Sequence, residues 1–234
     1  MLSRRNALFS IGAIASAAVA TSAAAQQSCD VFTSATQAST TPDAALALLK
    51  AGNTRFVEGR TINCDLRKQV LATAEQQSPI AVVVGCIDSR VPPEMVFDQR
   101  LGDIFAARVA GNFVNTDILG SLEFATAAAG AKLIVVLGHS SCGAIKGAVD
   151  DVKLGNLTAM LGNIRPSMSK LQYTGVPTSK NKKLVQELAD QNAKDAVEHI
   201  LQKSEVIAKL VKDGKVKVVS AMHDLSTGKI SWFA

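Results

Sequence analysis

Two short, unbroken apolar runs constrain this chain more than any other feature. Ile80-Ala81-Val82-Val83-Val84-Gly85 and, after Lys132, Leu133-Ile134-Val135-Val136-Leu137-Gly138 show no alternation of polar and apolar side chains. That is the pattern of strands buried on both faces, which need helices above and below them. Asp103 to Val109 is predicted as a further strand, and Asp117 to Ala129 as a helix ending at Gly130. Strand, helix, strand in this rhythm predicts right-handed crossovers, hence an α/β fold with a mainly parallel β-sheet flanked by helices. Apolar residues make up 47% of the chain but aromatics only 4%. A core of Ala, Val, Leu and Ile suits such a sheet better than an antiparallel sandwich, and it excludes wholesale disorder.

The remaining elements follow from local signals. Thr41-Pro42-Asp43 predicts a helix start, with Leu46, Leu49 and Phe56 on one face through Gly59, because Thr caps, Pro suits the first turn and Asp complements the dipole. The chain from Ser141 onward, Leu157 to Leu171 and Lys182 to Val211 read as helices, and Lys215 to Met222 pairs with Lys229 to Phe233 across Ser226-Thr227-Gly228. No internal repeat and no linker follows residue 42, so residues 42–234 are read as one domain. Residues 26–41, rich in Ser, Thr, Ala and Gln, are read as a flexible arm,.

Residues 1–25 read as an address. Met1-Leu2-Ser3-Arg4-Arg5 is basic, Ala7 to Val19 is apolar, no charge follows until Asp30, and Ala23-Ala24-Ala25 precedes Gln26 as a small-residue cleavage site,. A membrane anchor is the competing reading, but Ala, Ser, Gly and Thr dilute the run below the roughly 20 predominantly apolar residues that a spanning helix needs. Arg4-Arg5 resembles a twin-arginine export signal, although ordinary signals also carry paired arginines,. Either route predicts a periplasmic protein without a stable membrane anchor. Cleavage removes two arginines and no acid, lowering the net charge from +5 to +3. With one Trp and one Tyr, a nucleic-acid partner has no support.

The chemistry-bearing residues sit where two strands end. Cys86-Ile87-Asp88-Ser89-Arg90 leaves the first run directly, and in extended chain its residues 86, 88 and 90 face one way,. His139-Ser140-Ser141-Cys142-Gly143 leaves the second, with His139 and Cys142 three apart around a turn into a helix. The helix start favours a thiolate at Cys142 and would let the Gly143 amide position a substrate oxygen. Two thiolates, one imidazole and a carboxylate or water form a tetrahedral set suited to zinc. A disulfide between Cys86 and Cys142 is the rival in an oxidising compartment. A structural zinc site is the other, although the fourth donor here, Asp88, can exchange for water, as in catalytic sites.

The same residues carry a family likeness. Cys86-Ile87-Asp88-Ser89-Arg90-Val91-Pro92-Pro93-Glu94 and Gly138-His139-Ser140-Ser141-Cys142-Gly143-Ala144 resemble the two signatures of the β-class carbonic anhydrases. Gly52-Asn53-Thr54-Arg55-Phe56, Gly102-Asp103-Ile104-Phe105, Arg108-Val109-Ala110-Gly111-Asn112 and Asp224-Leu225-Ser226-Thr227-Gly228 extend the resemblance from about Pro42 to the C-terminus. It implies one Zn2+ per subunit on Cys86, His139 and Cys142, with Asp88 able to be the fourth ligand or to swing to Arg90 and leave that position to water. It implies reversible hydration of CO2 to bicarbonate, by hydroxide formed at the metal, and a homodimer or homotetramer with an N-terminal helical arm embracing the neighbour. Val83 stands where some relatives carry a Trp linked to bicarbonate inhibition, so that regulation is not implied. A hydrolase of carbonyl sulfide or carbon disulfide, and a non-catalytic zinc protein with a closed site, are the alternative functions.

Cys29 and Cys64 are left either as a disulfide or as two free thiols, since sequence gives no distance. His199 reads as a surface residue, and His223 as structural. Asp98 and Asp103 have Arg100 and Arg108 as ion-pair partners and are given no catalytic role.

Overall fold

Both apolar runs lie at the centre of a five-stranded sheet. In the computed structural model, which describes residues 29–233, the strands are β1 (Ala81–Gly85), β2 (Ile104–Arg108), β3 (Leu133–His139), β4 (Lys217–His223) and β5 (Ile230–Trp232). Their order is β2-β1-β3-β4-β5. β1 runs parallel to both β2 and β3, β3 runs parallel to β4, and β5 returns antiparallel through the expected hairpin. Ala81, Val83, Leu133, Val135 and Leu137 enter one core, and Val82, Val84, Ile134 and Val136 enter another. With both faces covered, every position of β1 and β3 is buried and apolar alternation has no reason to appear,.

The helices are α1 (Ser34–Ser39), α2 (Pro42–Val57), α3 (Leu66–Thr73), α4 (Pro93–Val96), α5 (Thr116–Glu123), α6 (Gly143–Val149), α7 (Gly155–Leu161), α8 (Arg165–Ser169), α9 (Lys182–Lys203) and α10 (Glu205–Lys212). α2 and α4 cover one face of the sheet, and α5, α9 and α10 cover the other. Thr41 caps α2 by accepting from the Ala44 amide, with Pro42 and Asp43 in the first turn as the sequence predicts. Three expected helices are interrupted. Asp117 to Ala129 is α5 followed by a π-helical turn, Phe124–Ala128. Leu157 to Leu171 splits into α7 and α8, where Pro166 cannot continue an upstream helix,. Lys182 to Val211 breaks at Ser204, which ends α9 and caps α10 through the Ile207 amide.

The expected address at residues 1–25 lies outside the described residues, as do residues 26–28 of the expected flexible arm. From Cys29 onward the arm is ordered, which corrects the flexible reading there. Thr33 and Thr36 form a capping box at the start of α1. The Gln37 side chain donates to the carbonyls of Pro79 and Ala129, 2.7 and 2.8 Å away, and the Phe32 amide donates to buried Asp103. Cys29 and Cys64 form a disulfide that ties this segment to the start of α3. Replacing both cysteines by Ser should lower the unfolding free energy by about 4 kcal/mol, the value expected for closing a loop across a sequence separation of 35,. Urea titration of oxidised, reduced and substituted protein checks this: reduction should reproduce the substitution.

β2 and β3 lie on opposite sides of β1, so the chain reverses its progress across the sheet there. In open α/β sheets the crevice beyond the carboxyl ends of such strands is where ligands bind.

Candidate metal centre

The register of β1 on β3 places the two chemistry-bearing segments side by side. Gly85 at the end of β1 pairs with Leu137, so Cys86, one residue beyond, and His139, two residues beyond, emerge together. After His139 the chain turns through Ser140 and Ser141, the latter at φ +57°, and brings Cys142 to the N-cap of α6. The Ser140 amide donates to the His223 carbonyl at 2.9 Å and its hydroxyl accepts from the Leu225 amide at 3.0 Å, which fastens the turn to the end of β4. The ligating atoms of Cys86, His139 and Cys142 lie within 4.8 Å of one another, and all three residues are buried.

Both thiols are free, and their sulfurs stand 3.9 Å apart, nearly twice a disulfide bond length. The rival disulfide does not form. Two sulfurs on a tetrahedral zinc, each about 2.3 Å from the metal, stand about 3.8 Å apart, so the pair already has the spacing that zinc requires. His139 Nδ1 lies 3.0 Å from the Ser140 carbonyl, which fixes the tautomer with the proton on Nδ1. Its Nε2 is buried with no hydrogen-bond partner among the described residues, an orphaned lone pair that a cation would satisfy. The donor set fits zinc.

Electrostatics points the same way. The Cys86 thiol is pulled well below the ordinary thiol range, chiefly by the Cys142 thiol, then by His139 and the amides of Gly111 and Asp88, against the cost of burial. Cys142 is pushed up by sharing its proton with Cys86 and by burial, with the amides of Ile145 and Ala144 opposing. The two sulfurs are therefore tightly linked in their titration, and a metal bound between them would favour the thiolate form of both.

Asp88 and Arg90 meet beside this cluster by a different route from the expected one. β1 ends at Gly85, and the Val91 amide bonds back to the Asp88 carbonyl, so the segment is a turn rather than an extended chain. The turn folds Arg90 onto Asp88: Nε donates to Oδ1 at 2.9 Å and the terminal nitrogen to Oδ2 at 2.7 Å. The Arg90 amide adds a third bond to Oδ1 at 3.0 Å. These bonds, with the Arg90 side chain foremost, hold the Asp88 carboxyl well below the usual carboxylate range. Asp88 Oδ2 is 3.8 Å from His139 Nε2, so the carboxylate flanks the donor cluster while bonded away from it.

Other expected sites resolve into support. Asp103 pairs with Arg100, but Asp98 pairs with Arg55. Arg108 joins neither. Its guanidinium donates to the carbonyls of Cys86 and Asp88 at 2.8 and 2.6 Å, clamping the ligand-bearing turn. Its partners are backbone atoms, which no residue pattern could announce. His223 is packed at the end of β4 with its pKa lowered mainly by burial. Gly143 opens α6, and a Cβ there would meet nothing within 4 Å.

Residues 81–230 match the protein family described as carbonic anhydrase. Carbonic anhydrase 2 of Mycobacterium tuberculosis is 34% identical over 199 residues, which span 81% of this chain and 92% of the relative. The carbonic anhydrase of Mycolicibacterium smegmatis is 35% identical over 195 residues, with the same coverage of both chains. Among solved structures, one of the tetrameric β-carbonic anhydrases of Sordaria macrospora superimposes with a TM-score of 0.61 at 25% identity, over 79% of this chain and 91% of that one.

Proposed function

Because the chain belongs to the β class of the carbonic anhydrase family, we propose that it catalyses the reversible hydration of CO2 to bicarbonate and a proton, with one Zn2+ per subunit held by Cys86, His139 and Cys142. The observation that carries this reading is the donor trio with Asp88 bonded to Arg90 beside it. A closed, non-catalytic site would need Asp88 as a fourth ligand, whereas three hydrogen bonds from Arg90 hold it off.

When bound, zinc supplies the Lewis acidity that lowers the pKa of a water molecule, to about 7 on three neutral imidazoles, a reference value that itself comes from a carbonic anhydrase. Asp88, kept ionised by Arg90, can only accept; it takes a hydrogen bond from the attacking oxygen and turns a lone pair of that oxygen toward the carbon of CO2. The Gly143 amide, in the first turn of α6 where a Cβ would meet nothing within 4 Å, orients a substrate oxygen. Burial of Cys86, His139 and Cys142 keeps bulk water from competing for the donors. Attack forms one carbon–oxygen bond as the π pair of one C=O bond of CO2 moves onto its oxygen, and the proton given up by the water leaves to solvent or buffer.

Cys86 and Cys142 contribute two negative donors where the imidazole reference has none, so more charge reaches the cation and the water is less acidic. Hydration should therefore rise from mildly acidic to alkaline pH. Stopped-flow CO2 hydration with metal analysis of the same samples tests the proposal. One zinc per chain and an alkaline-rising rate support it. Bound zinc with no hydration at any pH, or full activity after zinc is removed, overturns it.

The proposal extends to location and assembly. The basic and apolar start of the chain supports cleavage and export to the periplasm, and the Cys29–Cys64 disulfide suits an oxidising compartment,. No helix among the described residues is long and apolar enough to cross a membrane. The tetrameric relatives of Sordaria macrospora support assembly as a homodimer or homotetramer.

A further inference from the structure

The buried stripe of α9 contains Leu184, Val185, Leu188, Ala189, Ala193, Ala196 and Ile200, and, among them, Asn192. An amide at a core position costs stability unless it is hydrogen-bonded, and a Leu there would fill the stripe without that cost. Asn192 is 3% exposed, and its Nδ2 donates to the Gly111 carbonyl at 2.8 Å, across 81 residues of sequence. Gly111 lies in the turn closed by the Asn112 amide on the Val109 carbonyl, at φ +86°, a conformation natural to glycine. A Cβ there would stand 2.6 Å from Ile164 Cδ1 and 3.2 Å from Ala144 Cβ. On the other side of this peptide plane's residue, the Gly111 amide donates to Cys86 Sγ at 3.3 Å.

These contacts form a chain from the core of α9 to a sulfur of the donor cluster. We propose that Asn192 is a positioning residue for the hydration reaction: by fixing the Gly111 segment it aims an N–H at Cys86 Sγ and limits how much charge that sulfur gives to the cation. A hydrogen bond to a thiolate draws electron density away from the metal bond, which leaves the metal the stronger Lewis acid. The bond also sets the direction of the sulfur lone pairs, complementing Arg108, which holds the Cys86 carbonyl. This inference rests on the metal-site reading above.

Asn192→Leu removes the donor, and Asn192→Asp keeps the shape while replacing the amide nitrogen by a carboxylate oxygen. Each variant and the unsubstituted full chain are loaded with cobalt(II) in place of zinc. In both variants the sulfur-to-cobalt charge-transfer band should move to longer wavelength, because Cys86 Sγ becomes richer in electrons. With zinc, kcat for CO2 hydration should fall about tenfold with KM unchanged, the lower end of the range for supporting-shell substitutions. A merely structural Asn192 would lower the unfolding midpoint and leave the band in place, and that result overturns the inference. Should neither variant fold, the unsubstituted protein loaded with cadmium-113 decides: the Gly111 amide proton should couple to the metal through the sulfur, and a bound metal without that coupling overturns it. Failure of the unsubstituted protein to take up cobalt or cadmium would instead overturn the metal site itself.

Discussion

Cys142→Ser protein is expected to purify folded, to hold no stoichiometric zinc, and to hydrate CO2 more slowly by on the order of a thousandfold or more. The substitution removes one of only three protein donors, and a serine hydroxyl does not ionise in the range where a buried thiol beside a cation does. Its neighbours offer no replacement: Cys86 and His139 remain, and Asp88 is bonded to Arg90. The fold, in contrast, should not suffer. Cys142 is the N-cap of α6, where the Ile145 and Ala144 amides already act on its sulfur, and Ser is among the best residues for accepting from such amides. Comparison with metal-stripped native protein should therefore show equal or higher thermal stability for the variant, with metal content and turnover both lost. A Cys142→Ser protein that keeps zinc and more than a tenth of the activity would remove Cys142 from the proposed centre.

Arg90→Leu should do the reverse, retaining zinc while losing turnover by about a hundredfold, the scale seen when one oriented polar group of an active site is removed. Two of the three hydrogen bonds that reach Asp88 from Arg90 come from the side chain and are lost, and only the backbone amide bond to Oδ1 stays. Without the guanidinium, the Asp88 carboxylate is free to turn toward a cation held by the cluster, its Oδ2 already 3.8 Å from His139 Nε2. It would close on the metal and block the position that the reaction needs. Arg90→Lys should restore part of the rate, because one ammonium can hold one carboxylate oxygen but cannot reproduce the fork. Zinc analysis beside CO2 hydration at several pH values checks the pair, and loss of zinc from Arg90→Leu would contradict the role given to Arg90.

The fold was legible where burial speaks through apolar side chains and opaque where polar contacts replace them. β1 and β3 announced themselves because both of their faces are covered. α3 did not, because its pattern is inverted: Leu66, Val70 and Leu71 are exposed, while Gln69 is buried and accepts the Leu101 amide. α1 is composed of residues that read as a loose arm, and what anchors it is Gln37 bonding to two distant carbonyls. Ser204 divides a helix that periodicity alone would carry on. At the centre, Cys86, His139 and Cys142 were found from residue type and strand ends, and the structure brings all three together. Asp88 and Arg90 were placed together by extended-chain alternation, whereas a turn does it. Arg108 and Asn192 act on backbone carbonyls, so their partners are invisible in a string of side chains. The one clue to Asn192 was an amide where the helix stripe called for an aliphatic residue.

The pairing of β1 with β3 has a consequence for how the protein is made. Five consecutive residues of each strand are matched, from Ala81 with Leu133 to Gly85 with Leu137, and apolar cores on both faces hold them there. The donor cluster is thus an outgrowth of a scaffold held by strand pairing and apolar packing, unlike small zinc modules that remain unfolded until loaded. Loading of the proposed centre would then be a late, separate event, with a cation entering a mould whose walls the apolar cores have already cast.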